Sequence, residues 1–139
     1  MTTRRALPAL ATVALLLVPW TVLVFDGSAD LVFLWGLVNT GAWHVVSLWD
    51  YLFKFTAGPG SLPRFLLAWP VSTLLVLGAA GSALISYWGR GDRRVTAGLL
   101  ALAALDHLWF ALSVGGPGVL ALPVGPALAG ALAWWQYRR

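Results

Sequence analysis

With 139 residues, 60% of them hydrophobic and only 10% charged, and a mean hydropathy of +0.82, the chain is too apolar for a water-soluble domain of its size. A net charge of +4 would suggest nucleic acid in a soluble protein, but here the basic residues fall in pairs and triplets at the ends of apolar runs. They read as membrane orientation signals, so no nucleic-acid partner is expected. The absence of cysteine excludes a disulfide framework, a thiolate zinc site and a cysteine nucleophile, and the few histidines and carboxylates give no reason to expect a metal or cofactor.

The first apolar run, residues 6–25, follows Arg4 and Arg5 and exceeds a usual signal-peptide core, so it is expected to be an uncleaved transmembrane helix with a bend at Pro19. Asp26-Gly27-Ser28 closes it as a polar turn. Residues 26–63 carry Trp35, Trp43 and Trp49 with His44, Asp50, Lys54 and Arg64, and are expected to form an ordered outer loop, interfacial or re-entrant. Within it, residues 42–55 predict a short amphipathic helix along the headgroups. The breaker-rich connector at 57–63 leads to the second span, 65–88, where Gly78 with Ser82 and Ala79 with Ala83 would let a neighbouring backbone approach closely. A charged turn with Arg90, Arg93 and Arg94 precedes the third span, 95–114. The turn Gly115-Gly116-Pro117-Gly118 then leads to the fourth span, 119–135, which ends in the aromatic and basic segment Trp134-Trp135-Gln136-Tyr137-Arg138-Arg139.

Counting charges sets the orientation. With 26–63 outside, seven arginines, Arg4, Arg5, Arg90, Arg93, Arg94, Arg138 and Arg139, lie inside, against Lys54 and Arg64 outside. If that segment crossed the membrane, four basic residues would lie inside and five outside, against the positive-inside rule. The expected architecture is therefore an all-α, four-helix transmembrane bundle in the cell membrane, both termini cytoplasmic, with one outer loop between helices one and two.

Several stretches, Trp35-Gly36-Leu37-Val38-Asn39-Thr40, Asp50-Tyr51-Leu52-Phe53, Leu67-Ala68-Trp69-Pro70, the run from Asp92 to Leu100, and Leu122-Pro123-Val124-Gly125, resemble a family of small haloarchaeal membrane proteins encoded near archaeosortase A. The resemblance covers nearly the whole chain in the same order. It implies a location and a neighbourhood, and no catalytic residues. An accessory role in surface-protein processing, with archaeosortase as a membrane partner, follows from it as an expectation.

Asp106 and His107 are the strongest chemical signal, because an ionisable group inside a span usually faces the protein interior and has a partner. Neighbouring helical residues point about 100° apart, so each needs its own partner. They could relay a proton or bind a cationic group from the outer side, or simply lock the bundle through the loop or Arg64. His44, Asp50, Lys54 and Arg64 form a second candidate group, in which Asp50 and Lys54 have the spacing of an i, i+4 ion pair. Arg90, Arg93 and Arg94 are candidate lipid-headgroup contacts. With no motif of known catalytic mechanics present, a non-catalytic accessory or scaffold protein is the first expectation. A membrane-embedded enzyme around Asp106 and His107, a small transporter or channel subunit, and homo-oligomerisation remain alternatives.

Overall fold

The computed structural model describes residues 2–139, with side chains from residue 6 onward, so the Arg4 and Arg5 side chains used in the charge count lie outside the described residues. It overturns the all-α expectation, because a five-stranded antiparallel sheet accompanies the helices. In chain order the elements are α1 (Thr2–Ala14), β1 (Thr21–Phe25), β2 (Ser28–Val32), β3 (Gly36–Asn39), β4 (His44–Ser47), α2 (Leu48–Phe53), α3 (Arg64–Tyr87), α4 (Arg93–Val114), β5 (Leu120–Leu122) and α5 (Val124–Arg138). The sheet order is β4-β3-β2-β1-β5.

The first expected span fails as a single helix for local reasons. Pro19 disfavours helical geometry at the residue before it, and Thr21, Val22, Val24 and Phe25 are β-branched or aromatic residues that fit a pleated surface. Asp26-Gly27 then joins β1 to β2 as a two-residue hairpin, with Phe25 opposite Ser28 and Gly27 at φ +80°. The outer loop is likewise mostly strand. The helix expected over 42–55 shortens to α2, capped by the Ser47 hydroxyl accepting from the Asp50 amide at 3.1 Å, because His44–Ser47 pairs with β3 instead. The fourth expected span opens with β5, which pairs antiparallel to β1, and becomes helical only after Pro123.

Only α3 and α4 among the described residues are long and apolar enough to cross a membrane. At 24 and 22 residues they measure about 36 and 33 Å, against about 30 Å of hydrocarbon. The 13 residues of α1 and the 15 of α5 reach only about 20 and 22 Å. The two short helices pack on one half of the α3–α4 pair, and the sheet covers the other half. The join is made by hydrogen bonds from Trp69 Nε1 to the Phe33 carbonyl, 2.7 Å, and from the Thr73 hydroxyl to the Leu34 carbonyl, 2.6 Å.

Two apolar clusters follow this division. Leu15, Trp20, Leu34, Val76, Leu100 and Ala129 centre the helical half. Val32, Ala68, Trp69 and Phe110 centre the region under the sheet. Trp20 and Trp69 are buried at the centre of these clusters, 0% and 2% exposed. Trp20 donates through Nε1 to the Leu15 carbonyl at 2.8 Å, and the backbone of Gly125 packs so closely on its indole that a Cβ there would overlap the ring.

Candidate functional site

The deepest polar cluster gathers at the junction of α3, α4 and β1. His107, on α4, is wholly buried, with Nε2 2.7 Å from the Thr21 hydroxyl on β1 and Nδ1 2.9 Å from the Ser72 hydroxyl on α3. The Ser72 hydroxyl also lies 2.7 Å from the Trp69 carbonyl, which can only accept, so Ser72 spends its one proton there. Ser72 Oγ must then accept from His107 Nδ1–H, and Nε2 must accept from Thr21. This sequence of bonds satisfies both ring nitrogens of a neutral imidazole. Trp20 approaches the ring edge-on at 5.2 Å between centroids and Phe110 at 5.0 Å, which closes the remaining sides. A Ser–His pair activates a nucleophile only when the ring nitrogen accepts the hydroxyl proton, and here Nδ1 donates to Ser72 instead. Here Thr21, Ser72 and His107 are all 0% exposed, so the arrangement binds three elements together and offers nothing to a substrate.

Asp106 does not join this cluster. It is half-buried on the flank of α4, and one of its carboxylate oxygens is buried with no hydrogen-bond partner. The expected link to Arg64 is not made; the ion pair among the described residues is Asp50 with Lys54, at 3.5 Å and solvent-exposed. His44 lies exposed on β4 opposite Asn39, and Arg64 opens α3 at the surface. The candidates His44, Asp50, Asp106 and His107 therefore do not converge, and no three His, Asp or Glu residues among those described could hold a metal ion.

Sequence reasoning missed Thr21 and Ser72. Both are small hydroxyls in apolar runs, and the available signal was only that a buried histidine needs two partners. It also missed smaller locks of the same kind: Gln136 Nε2 donates to the Thr12 hydroxyl at 3.2 Å, and the hydroxyls of Ser82 and Thr96 meet at 2.7 Å.

Two surfaces remain open. On the sheet side, Trp43, Val45, Trp49 and Phe55 are 60–78% exposed. Trp43 ends the loop between β3 and β4 with φ +50°, the one non-glycine residue at positive φ among those described. At the opposite end of α4 and α5, Arg138 stacks over Trp134 and Arg139 over Trp135, each at 5.6 Å. Burial at this end, joined by the charge of Arg93, lowers Arg139 from the usual guanidinium range.

A helix bundle half covered by an antiparallel sheet, with its buried histidine sealed and its open faces aromatic or basic, defines an α+β protein with two helices of membrane-spanning length. The chain belongs to the family described as a domain of unknown function (DUF8050), which it matches over residues 1–139. No curated protein matches it.

Proposed function

We propose that this chain is a non-catalytic accessory protein of the cell membrane, oriented with both termini cytoplasmic, whose sheet docks a membrane-protein partner at the outer face. The observation that carries the reading is Trp43. A bulky residue in the left-handed region costs about 1–3 kcal/mol, and it persists where function holds it. Trp43 bears that cost while 78% exposed, so its side chain does not repay it inside this chain.

Its position favours a protein over lipid as the contact. The β3–β4 turn lies beside the β1–β2 turn, since the Thr40 amide donates to the Ala29 carbonyl at 2.9 Å. Both turns are at the end of the sheet away from Thr21 and α4. Trp43 thus stands about 13 Å along β4 from Ser47, next to His44 and at the end of the sheet that carries Asn39, Asp30 and the Asp26-Gly27 turn. Trp49 and Phe53 lie lower, on α2, whose Tyr51 packs on Trp69 of α3 at 5.3 Å, and they suit interfacial anchoring. The resemblance to proteins encoded near archaeosortase A makes that enzyme the first partner to test.

The test is co-purification with archaeosortase in mild detergent, wild type beside Trp43→Gly. Glycine adopts positive φ freely, so the variant is expected to melt no lower than wild type while losing the partner. Retention of the partner by Trp43→Gly would overturn the docking role of this residue. Failure of wild type to retain archaeosortase would remove that partner from the reading.

A further inference from the structure

Along the basic end of the molecule, α4 and α5 leave between them an open groove of about 400 Å³, within the range of small-molecule sites. Its floor is made of Ala97, Gly98, Ala101, Gly130 and Ala133. Small residues facing each other across two helices ordinarily let the backbones close on one another. Here Ala97, Ala129 and Ala133 are buried and carry the close contact, whereas Gly98 and Gly130 lie at its outer edge, where an added Cβ would meet nothing within 4 Å. The glycines thus leave an apolar channel along the outer edge of the α4–α5 contact.

The mouth of the groove has the opposite character. Arg94 and Tyr137 flank it, and Arg138 and Arg139 line the adjoining depression with Trp134 and Trp135. No salt bridge engages these guanidinium groups among the described residues; the acid nearest in the chain, Asp92, caps α4 by accepting from the Arg94 amide at 2.8 Å. An apolar trough about 10 Å long, from Arg94 to Ala101, with an unpaired cation at its end calls for an amphipathic anion.

We propose that the α4–α5 groove binds one anionic phospholipid, with the headgroup phosphate on Arg94 and an acyl chain along the glycine-bearing floor. This extends the lipid contact expected of the arginine turn from a diffuse attraction to a defined site on two helices. It rests on the membrane reading above.

Native mass spectrometry of the full chain in detergent, titrated with phosphatidylglycerol or phosphatidylcholine, tests it. Wild type is expected to keep one phosphatidylglycerol under activation that strips phosphatidylcholine. Gly130→Leu places its side chain in the groove, starting from a Cβ position that meets nothing within 4 Å, and is expected to lose that lipid, and Arg94→Gln to weaken it about fivefold. Gly81→Leu, also in open space but on α3, is expected to retain it. Equal retention of the two lipids by wild type, or undiminished binding by both Gly130→Leu and Arg94→Gln, would overturn the proposal. So would a wild-type dimer that Gly130→Leu converts to monomer without a lipid adduct, since a second copy would then fill the groove. A chain that stays dispersed without detergent would instead defeat the membrane reading itself.

Discussion

His107 and Asp106 are adjacent in the chain and opposite in consequence. The histidine closes hydrogen bonds to Thr21, 86 residues away, and to Ser72, 35 residues away. His107→Ala would leave both hydroxyls buried without their ring partner and open a cavity beside Trp20. It is expected to cost about 2–4 kcal/mol, read as a lowered melting temperature in detergent. Asp106 makes no bond through its buried oxygen, so Asp106→Asn is expected to leave the melting temperature nearly unchanged, within about 0.5 kcal/mol of stability. Equal losses from both substitutions would show that the aspartate also holds the fold. That an ionisable residue in an apolar helix needs a partner was legible in the sequence. Which partner it takes was not, because Ser72 and Thr21 carry no local mark separating them from any other small residue in an apolar run.

The elements divide along the same line. α3 and α4 were readable from length and hydropathy, since each is a continuous apolar run bounded by breakers and, for α4, by the Asp92 cap. Residues 6–25 and 119–135 have a similar apolar content, and hydropathy alone does not separate a buried helix from a buried strand. The local signals were present in Pro19, in the β-branched residues after it, and in Asp26-Gly27, a dipeptide suited to a two-residue hairpin. They were outweighed by the length of the apolar run. The pairing of β1 with β5 joins the two ends of the chain, and Gly125 seals that joint by donating its amide to the Trp20 carbonyl at 2.9 Å. Gly125→Ala would drive a methyl group into the Trp20 ring and is expected to destabilise by about 1–3 kcal/mol despite alanine's better helix propensity. Thermal melting checks this, and a variant as stable as wild type would mean that the indole can move aside.

At the scale of the whole molecule, the sheet does for α1 and α5 what length cannot. α1 leads to β1 through residues 15–20, β5 leads directly into α5, and β1, which meets α4 through Thr21, is paired on both edges, by β2 and by β5. A strand so paired leaves few backbone groups unsatisfied, the condition a non-helical segment must meet if, as proposed, it lies at membrane depth. This arrangement also separates the two chemically distinct ends: Trp43, Val45 and the hairpin turns lie at the sheet end, and Arg90, Arg93, Arg94, Arg138 and Arg139 at the other. In the orientation proposed above, which rests on the charge imbalance, the sheet end faces outside. Because the chain has no cysteine, single replacements test that assignment cleanly. Val45→Cys, on a strand residue 60% exposed, is expected to react with a membrane-impermeant maleimide on intact cells. Asp92→Cys, in the exposed turn before α4, is expected to react only after permeabilisation. Labelling of position 92 on intact cells with position 45 protected would invert the molecule. The aromatic sheet would then face the cytoplasm, and an outer-face partner for Trp43 would be untenable, whereas the α4–α5 groove, defined by shape and charge alone, would keep its lipid in the other leaflet.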